Sequence, residues 1–187
     1  MIAVYIIIGV VVVLLIIFIM TYNGLVRRRN QVKNAWAQID VQLKRRFDLI
    51  PNLMETVKGY MKHERATLEA VTNARNLAQQ ATSSGVGERA KAEGELSSAL
   101  SRLLAVVENY PDLKANQNFL ALQEELTSTE NKISFSRQYY NDSVLSYNNQ
   151  TQMFPSNMIA SMTGFKASEF FEVTAATERE APKVSFN

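Results

Sequence analysis

The chain opens on an unbroken apolar run. From Ile2 to Met20 every residue is aliphatic or aromatic except Gly9, and no charge occurs before Arg27. At about 1.5 Å per helical residue, such a run spans the roughly 30 Å hydrocarbon core of a bilayer. It exceeds the apolar core of a secretory signal. No Lys or Arg precedes it, and it leads into Thr21-Tyr22-Asn23-Gly24, which is no small-x-small cleavage site. The pattern predicts an uncleaved transmembrane anchor over 1–26, with Tyr22 at the water–lipid boundary. No later run matches it, so a single pass is expected.

Beyond the anchor the pattern becomes a seven-residue repeat. Trp36, Leu43, Ile50 and Val57 share one stripe, continued by Val71 and Ala78. Val32, Ile39, Leu53 and Tyr60 share the next, and Phe47, Met54, Met61 and Leu68 widen the face. Such a stripe belongs to a helix that packs on other helices. The phase is the same on both sides of Pro51, which predicts one long helix over 25–81, kinked where proline removes the hydrogen bond to the Phe47 carbonyl.

Thr82 to Gly87 reads as a turn. Glu88 to Tyr110 follows as an Ala- and Ser-rich helix with Leu96, Leu100, Leu103 and Val107 at helical spacing, ended by Tyr110-Pro111. A third helix is expected from Asn116 to Phe154, on the stripe Phe119, Leu126, Ile133, Tyr140, Tyr147 and Phe154. Ser156 to Met162 reads as a short helix broken by Gly164. Phe165, Phe170 and Phe171 form an aromatic cluster, and from Val173 the composition becomes that of a tail. The fold class is all-α: one N-terminal transmembrane helix continuing into an elongated antiparallel bundle of three long helices plus a short fourth. The domain division is anchor 1–26, helical bundle 27–172 and C-terminal tail 173–187.

Charge adds topology. Arg27, Arg28, Arg29 and Lys33 flank the anchor on the bundle side, against no basic residue on the other flank. The positive-inside bias places the N-terminus outside and the bundle in the cytoplasm of a cell-membrane protein. The same basic residues could attract anionic headgroups. Net charge is only +2 and acidic residues are interspersed, so nucleic acid is not an expected partner.

Candidate chemistry is sparse. Without cysteine, thiolate sites and disulfides are excluded, and His63 is the sole histidine. His63-Glu64 lacks the second histidine of a zinc helix, and no Glu-x-x-His pairs exist for a di-iron bundle. No catalytic, cofactor-binding or metal-binding residue is predicted, and no cofactor. Arg46 shares the stripe of Ile39 and Leu53, so it should point inward and need a partner, for which Glu130 is the candidate. Tyr139, Tyr140 and Tyr147 are expected to pack with hydroxyls at the bundle edge.

Several strings then resemble the LemA family. They begin with Tyr22-Asn23 at the membrane exit and run from Asn34-Ala-Trp36-Ala-Gln-Ile-Asp40 through Val41-Gln-Leu-Lys-Arg-Arg46, Asp48-Leu-Ile-Pro-Asn-Leu53, Val57-Lys-Gly-Tyr60 and His63-Glu64. Further on come Tyr110-Pro111-Asp-Leu-Lys114, Leu122-Gln-Glu-Glu-Leu126, Thr129-Glu-Asn-Lys-Ile133, Tyr140-Asn141, Tyr147-Asn148, Phe154-Pro155 and Gly164-Phe165. The resemblance implies a single membrane helix and a cytoplasmic helical bundle, and it implies no agreed activity. Some family members look linked to quality control beside a membrane metalloprotease, and a relative in magnetosome-forming bacteria to building internal membranes.

The expected function is a non-enzymatic, membrane-anchored scaffold that self-associates and organises the membrane or its proteins. The alternative is an adaptor for a membrane protease or a signalling or stress-response system. Expected partners are the lipid bilayer, a second copy of the chain and another membrane protein such as a metalloprotease. The shorter third helix should leave part of the first uncovered, so Val32, Trp36, Ile39 and Leu43 are the expected self-association strip.

Overall fold

The computed structural model describes residues 1–172. Six α-helices account for most of them. They are α1 (Ile2–Lys58), α2 (Arg65–Gln80), α3 (Val86–Val107), α4 (Pro111–Lys114), α5 (Gln117–Gln152) and α6 (Ser156–Thr163), with a 3-10 turn over Ala81–Ser83. No strand occurs among the described residues. The tail expected over 173–187 lies outside them.

The chain forms two compact units. One combines Met1–Val41 with Ser134–Glu169, and the other combines Gln42–Ile133 with the described residues that follow Glu169, Phe170 to Glu172. Helices α1 and α5 each contribute a segment to both.

α1 runs without a break from the apolar segment into the bundle, as expected, and it passes through Pro51. Residues 1–20 are all exposed, and Leu25 is the first fully buried side chain. An apolar helix of this length with no protein cover fits hydrocarbon and not water. The carbonyl that Pro51 deprives of its helical donor is that of Phe47. In the second unit it accepts a hydrogen bond from Arg75 Nε of α2 at 3.4 Å, while the Arg75 guanidinium lies 3.7 Å above the Phe47 ring. A cation over an aromatic face and a charged donor on an orphan carbonyl together offset part of the proline cost. We expect Arg75→Met to cost about 1–2 kcal/mol in the native chain. It should cost clearly less in a Pro51→Ala background, where residue 51 supplies the donor. A double-mutant cycle reads the coupling, and additive losses would show that Arg75 does not serve the freed carbonyl.

The single helix expected over 25–81 is corrected. α1 ends at Lys58, before Gly59, and α2 starts only at Arg65. The heptad phase survives the interruption because Val57 and Val71 both face one core, not because the helix is continuous. That core gathers Ile50, Leu53, Val57, Met61, Val71, Ala78, Leu96, Leu103, Leu113, Phe119 and Leu126. The turn itself is held by polar contacts. Tyr110 Oη donates to the Glu64 carboxylate at 3.1 Å, and Asn116 Nδ2 donates to Tyr60 Oη at 3.1 Å. Gly59 follows the last residue of α1; glycine costs only about 1 kcal/mol in a helix interior, too little to mark a break against a continuous apolar register.

α3 buries the predicted Leu96, Leu100, Leu103 and Val107. Pro111 does more than end a helix: it takes the first turn of α4, where its missing N–H costs nothing. α5 follows its predicted stripe from Phe119 to Tyr147, all buried, but ends at Gln152, and Phe154 is 80 % exposed. α6 closes on Gly164, whose φ of 75° is the left-handed cap that glycine accepts without strain.

Candidate functional site

Two groupings of side chains carry the polar chemistry of the chain, one in each unit. In the second unit, Arg46 is 1 % exposed among the helices. Its position on the stripe between Ile39 and Leu53 drives it inward. Burial of a guanidinium requires paired acceptors. Nη1 donates to Glu130 Oε1 at 2.8 Å and to Ser97 Oγ at 2.7 Å, while Nη2 is paired with the Glu93 carboxylate and reaches the Glu93 carbonyl at 3.4 Å. The Arg46–Glu130 pair expected from the sequence is present. Glu93 and Ser97, supplied by α3, complete it.

Electrostatics within this cluster are frustrated. Burial pushes the Glu93 carboxyl above its ordinary range, although the Arg46 guanidinium pulls the other way. Desolvation outweighs attraction, as buried ion pairs commonly show. Nearby, exposed Arg45 pairs with Glu125 on the surface, a contact of small energetic weight. Glu64 occupies the position before α2, but its carboxylate turns to Tyr110 and does not cap the helix. No group of three or more His, Asp and Glu side chains among the described residues is arranged to hold a metal ion.

In the first unit, α5 runs antiparallel to α1. Arg28 donates to Ser146 Oγ, Gln31 Nε2 donates to Tyr139 Oη at 3.5 Å, and a side chain at Gly24 would meet Gln150 Nε2 at 3.0 Å. Glycine at 24 therefore lets the α5 amide approach α1. The Trp36 ring lies 5.3 Å from that of Tyr140. This closes the strip expected to be bare. Val32, Ile39 and Leu43 are buried and Trp36 is half-buried within one chain. The expectation failed because it set α5 against a first helix reaching residue 81. With α1 ending at Lys58, the 36 residues of α5 reach back to Gly24.

The basic flank is partly engaged. Arg27, Arg28, Arg29 and Lys33 are all exposed. Arg28 holds Ser146, and the Arg29 guanidinium sits 4.8 Å above the Phe165 ring. Phe165 also meets Tyr22 edge-on at 5.8 Å. The residues after α6 form a strap fastened to α5. Tyr147 Oη donates to the Lys166 carbonyl at 2.9 Å and Tyr140 Oη to the Glu169 carbonyl at 2.9 Å. Asn148 brackets Ser168, giving its amide to that carbonyl at 2.9 Å and accepting that N–H at 2.8 Å. Of the tyrosine hydroxyls expected at the bundle edge, those of Tyr140 and Tyr147 thus have defined acceptors, and that of Tyr139 accepts from Gln31. Sequence offered no signal for the strap, because an extended segment bonded through its own backbone has no side-chain period.

The profile of the LemA family matches residues 35–186. Magnetosome protein MamQ 2 of Paramagnetospirillum magneticum is 25 % identical over 178 residues, 82 % of this chain and 65 % of that protein. Magnetosome protein MamQ of Magnetospirillum gryphiswaldense is 24 % identical over 177 residues, with the same coverage of 82 % and 65 %. Protein LemA of Metamycoplasma hominis is 28 % identical over 163 residues, 83 % of this chain and 73 % of that one. The match to the MamQ proteins thus spans just under two thirds of their length.

Proposed function

The chain belongs to the LemA family, and from that premise we propose that it is a single-pass membrane protein acting as a non-enzymatic scaffold. The observation that carries this reading is the continuity of α1. One helix forms both the exposed apolar segment and the spine of the bundle, so the bundle is held at the membrane by its own core helix. Among the described residues, the Arg46 cluster and the strap use buried polar side chains for internal pairing. Relatives named as magnetosome proteins support a place at membranes. The basic side chains that follow the span support a cytoplasmic bundle.

Self-association belongs to this proposal, but through a surface other than the closed strip. Phe135 of α5 is 73 % exposed, and Tyr139, one turn on, is also exposed. Anchoring confines copies to a plane and aligns them in parallel, which raises their effective concentration. Because the chain has no cysteine, Phe135→Cys gives a clean probe. We expect mild oxidation of native membranes holding the full-length variant to yield covalent dimers. A variant that stays monomeric while a different membrane protein co-purifies in fixed ratio would replace the scaffold with the adaptor.

A further inference from the structure

The corner between α5 and α6 carries exposed apolar side chains that the bundle does not use. Met153 is 63 %, Phe154 80 %, Met158 57 % and Met162 77 % exposed. On α6, Ser156, Ile159 and Ala160 face inward, so Met158 and Met162 stand on the opposite face of an amphipathic turn. No charged residue occurs between Asp142 and Lys166.

The register of the first unit fixes where this corner lies. Gln150 is opposite Gly24 and Ser146 opposite Arg28, so each step along α5 is a step back along α1. α5 ends at Gln152, two residues beyond Gln150 and so at the level of Tyr22, and Met153 and Phe154 begin the turn that follows it there, close to the end of the apolar run at Met20. Beyond α6 the chain returns to the same height, where Phe165 touches Tyr22 and Arg29. Basic Arg27, Arg28, Arg29 and Lys166 surround this level and are exposed.

We propose that the α5–α6 corner, with Phe154, Met158 and Met162 foremost, is a second, non-spanning membrane contact that sits in the lipid interface beside the anchor. Its occupant is the bilayer itself. The patch lies at the end of a segment whose length and exposure suit hydrocarbon, with Phe165 beside Tyr22 joining the two, and uncharged apolar side chains below a basic collar match acyl chains below anionic headgroups. A foot beside the anchor restrains tilt and rotation of the first unit against the membrane plane. The inference rests on the anchor reading above and is independent of the scaffold role.

The test uses the full-length chain in nanodiscs of mixed phosphatidylcholine and phosphatidylglycerol. Nitroxide labels are placed singly through Phe154→Cys, Met158→Cys and Met162→Cys. Leu14→Cys marks the anchor, and Leu145→Cys, level with Arg29 on α5, serves as the aqueous reference. Labels at 154, 158 and 162 are expected to collide severalfold more often with oxygen than with a water-soluble nickel complex, as at 14, with the reverse at 145. Nickel-accessible labels at all three positions while Leu14→Cys remains in lipid would overturn the foot alone. A water-exposed label at 14 would overturn the anchor, and the foot with it. Spectral broadening at the corner that disappears on dilution with unlabelled protein would assign the patch to a second copy and overturn the lipid contact.

Discussion

Arg46→Met is expected to destabilise the second unit by about 3–5 kcal/mol, the largest single effect in the chain. The substitution keeps the unbranched apolar stem of the side chain but not the buried guanidinium, so some packing is lost together with the charge. What it removes is the guanidinium by which α1 holds Glu93, Glu130 and Ser97, leaving Arg89 as the other cation acting on Glu93. Glu93 would be left buried with its charge less compensated. Its carboxyl already sits above the ordinary range through burial, and loss of Arg46 would raise it further. The sign of the pH effect follows. A carboxyl whose folded pKa is raised holds its proton more tightly in the folded state. Stability is then lost as pH rises from the ordinary carboxylate range through the raised value. Arg46→Met should therefore fare worst at neutral pH and recover on mild acidification. Adding Glu93→Gln should restore part of the loss and flatten the pH dependence, and adding Glu130→Gln a smaller part, because Glu130 keeps contact with water. Urea titration of the full-length chain in detergent, with hydrogen exchange read at α3 amides, separates the contributions. Strictly additive losses across the cycle would show that the cluster is not a coupled unit.

The same cluster shows what the sequence can and cannot disclose. Arg46 was legible as an inward charge because it interrupts an apolar stripe in register. Glu130 was legible because a partner was required and α5 offered an acid near the right level. Glu93 was missed, although its signal exists. Arg89, Glu93, Leu96, Leu100, Leu103 and Val107 fall on one alternation of four- and three-residue steps, and all are buried on α3. Extending the leucine stripe backward would have placed two charges inside. The Ala- and Ser-rich composition of that stretch disguised it as a small-residue surface.

Chain reversal was harder to read than helicity. The apolar phase of Ile50 and Val57 continues into Val71 and Ala78, so periodicity alone could not distinguish one helix from two that share a core. The misreading then propagated: a first helix extended to residue 81 made α5 look too short and left Trp36 apparently bare. In the structure Trp36 lies against Tyr140 instead. Burial patterns show that a face is covered. They do not show which segment of the chain covers it.

Unfastening the strap should give the second large effect. Tyr140→Phe and Tyr147→Phe each remove one hydroxyl bond to a carbonyl, and Asn148→Leu removes the pair around Ser168. At about 1 kcal/mol per net bond, the triple variant should lose roughly 3–4 kcal/mol of local stability. The loss should be local, because ring packing on α1 is retained. Amide exchange should accelerate at Lys166 to Glu169 first and leave the middle of α5 protected. The strap also predicts an alkaline response. Burial raises both tyrosine pKa values; Glu169 adds to this at Tyr140, and Arg29 opposes it at Tyr147. The folded state therefore keeps these protons when the unfolded chain gives them up, and stability is lost as pH rises above about 10. The phenylalanine variants carry no such proton, so their strap should open no faster at alkaline than at neutral pH once intrinsic exchange is corrected. An unchanged alkaline opening in the Tyr140→Phe, Tyr147→Phe double variant would show that the hydroxyls do not hold the segment. The consequence reaches the membrane. The strap follows directly from α6 and from Phe165, whose ring packs on Tyr22, so loosening it should also free the α5–α6 corner. Nitroxide labels at Phe154→Cys and Met162→Cys in the triple variant should then lose their excess of oxygen over nickel accessibility, while Leu14→Cys keeps its own.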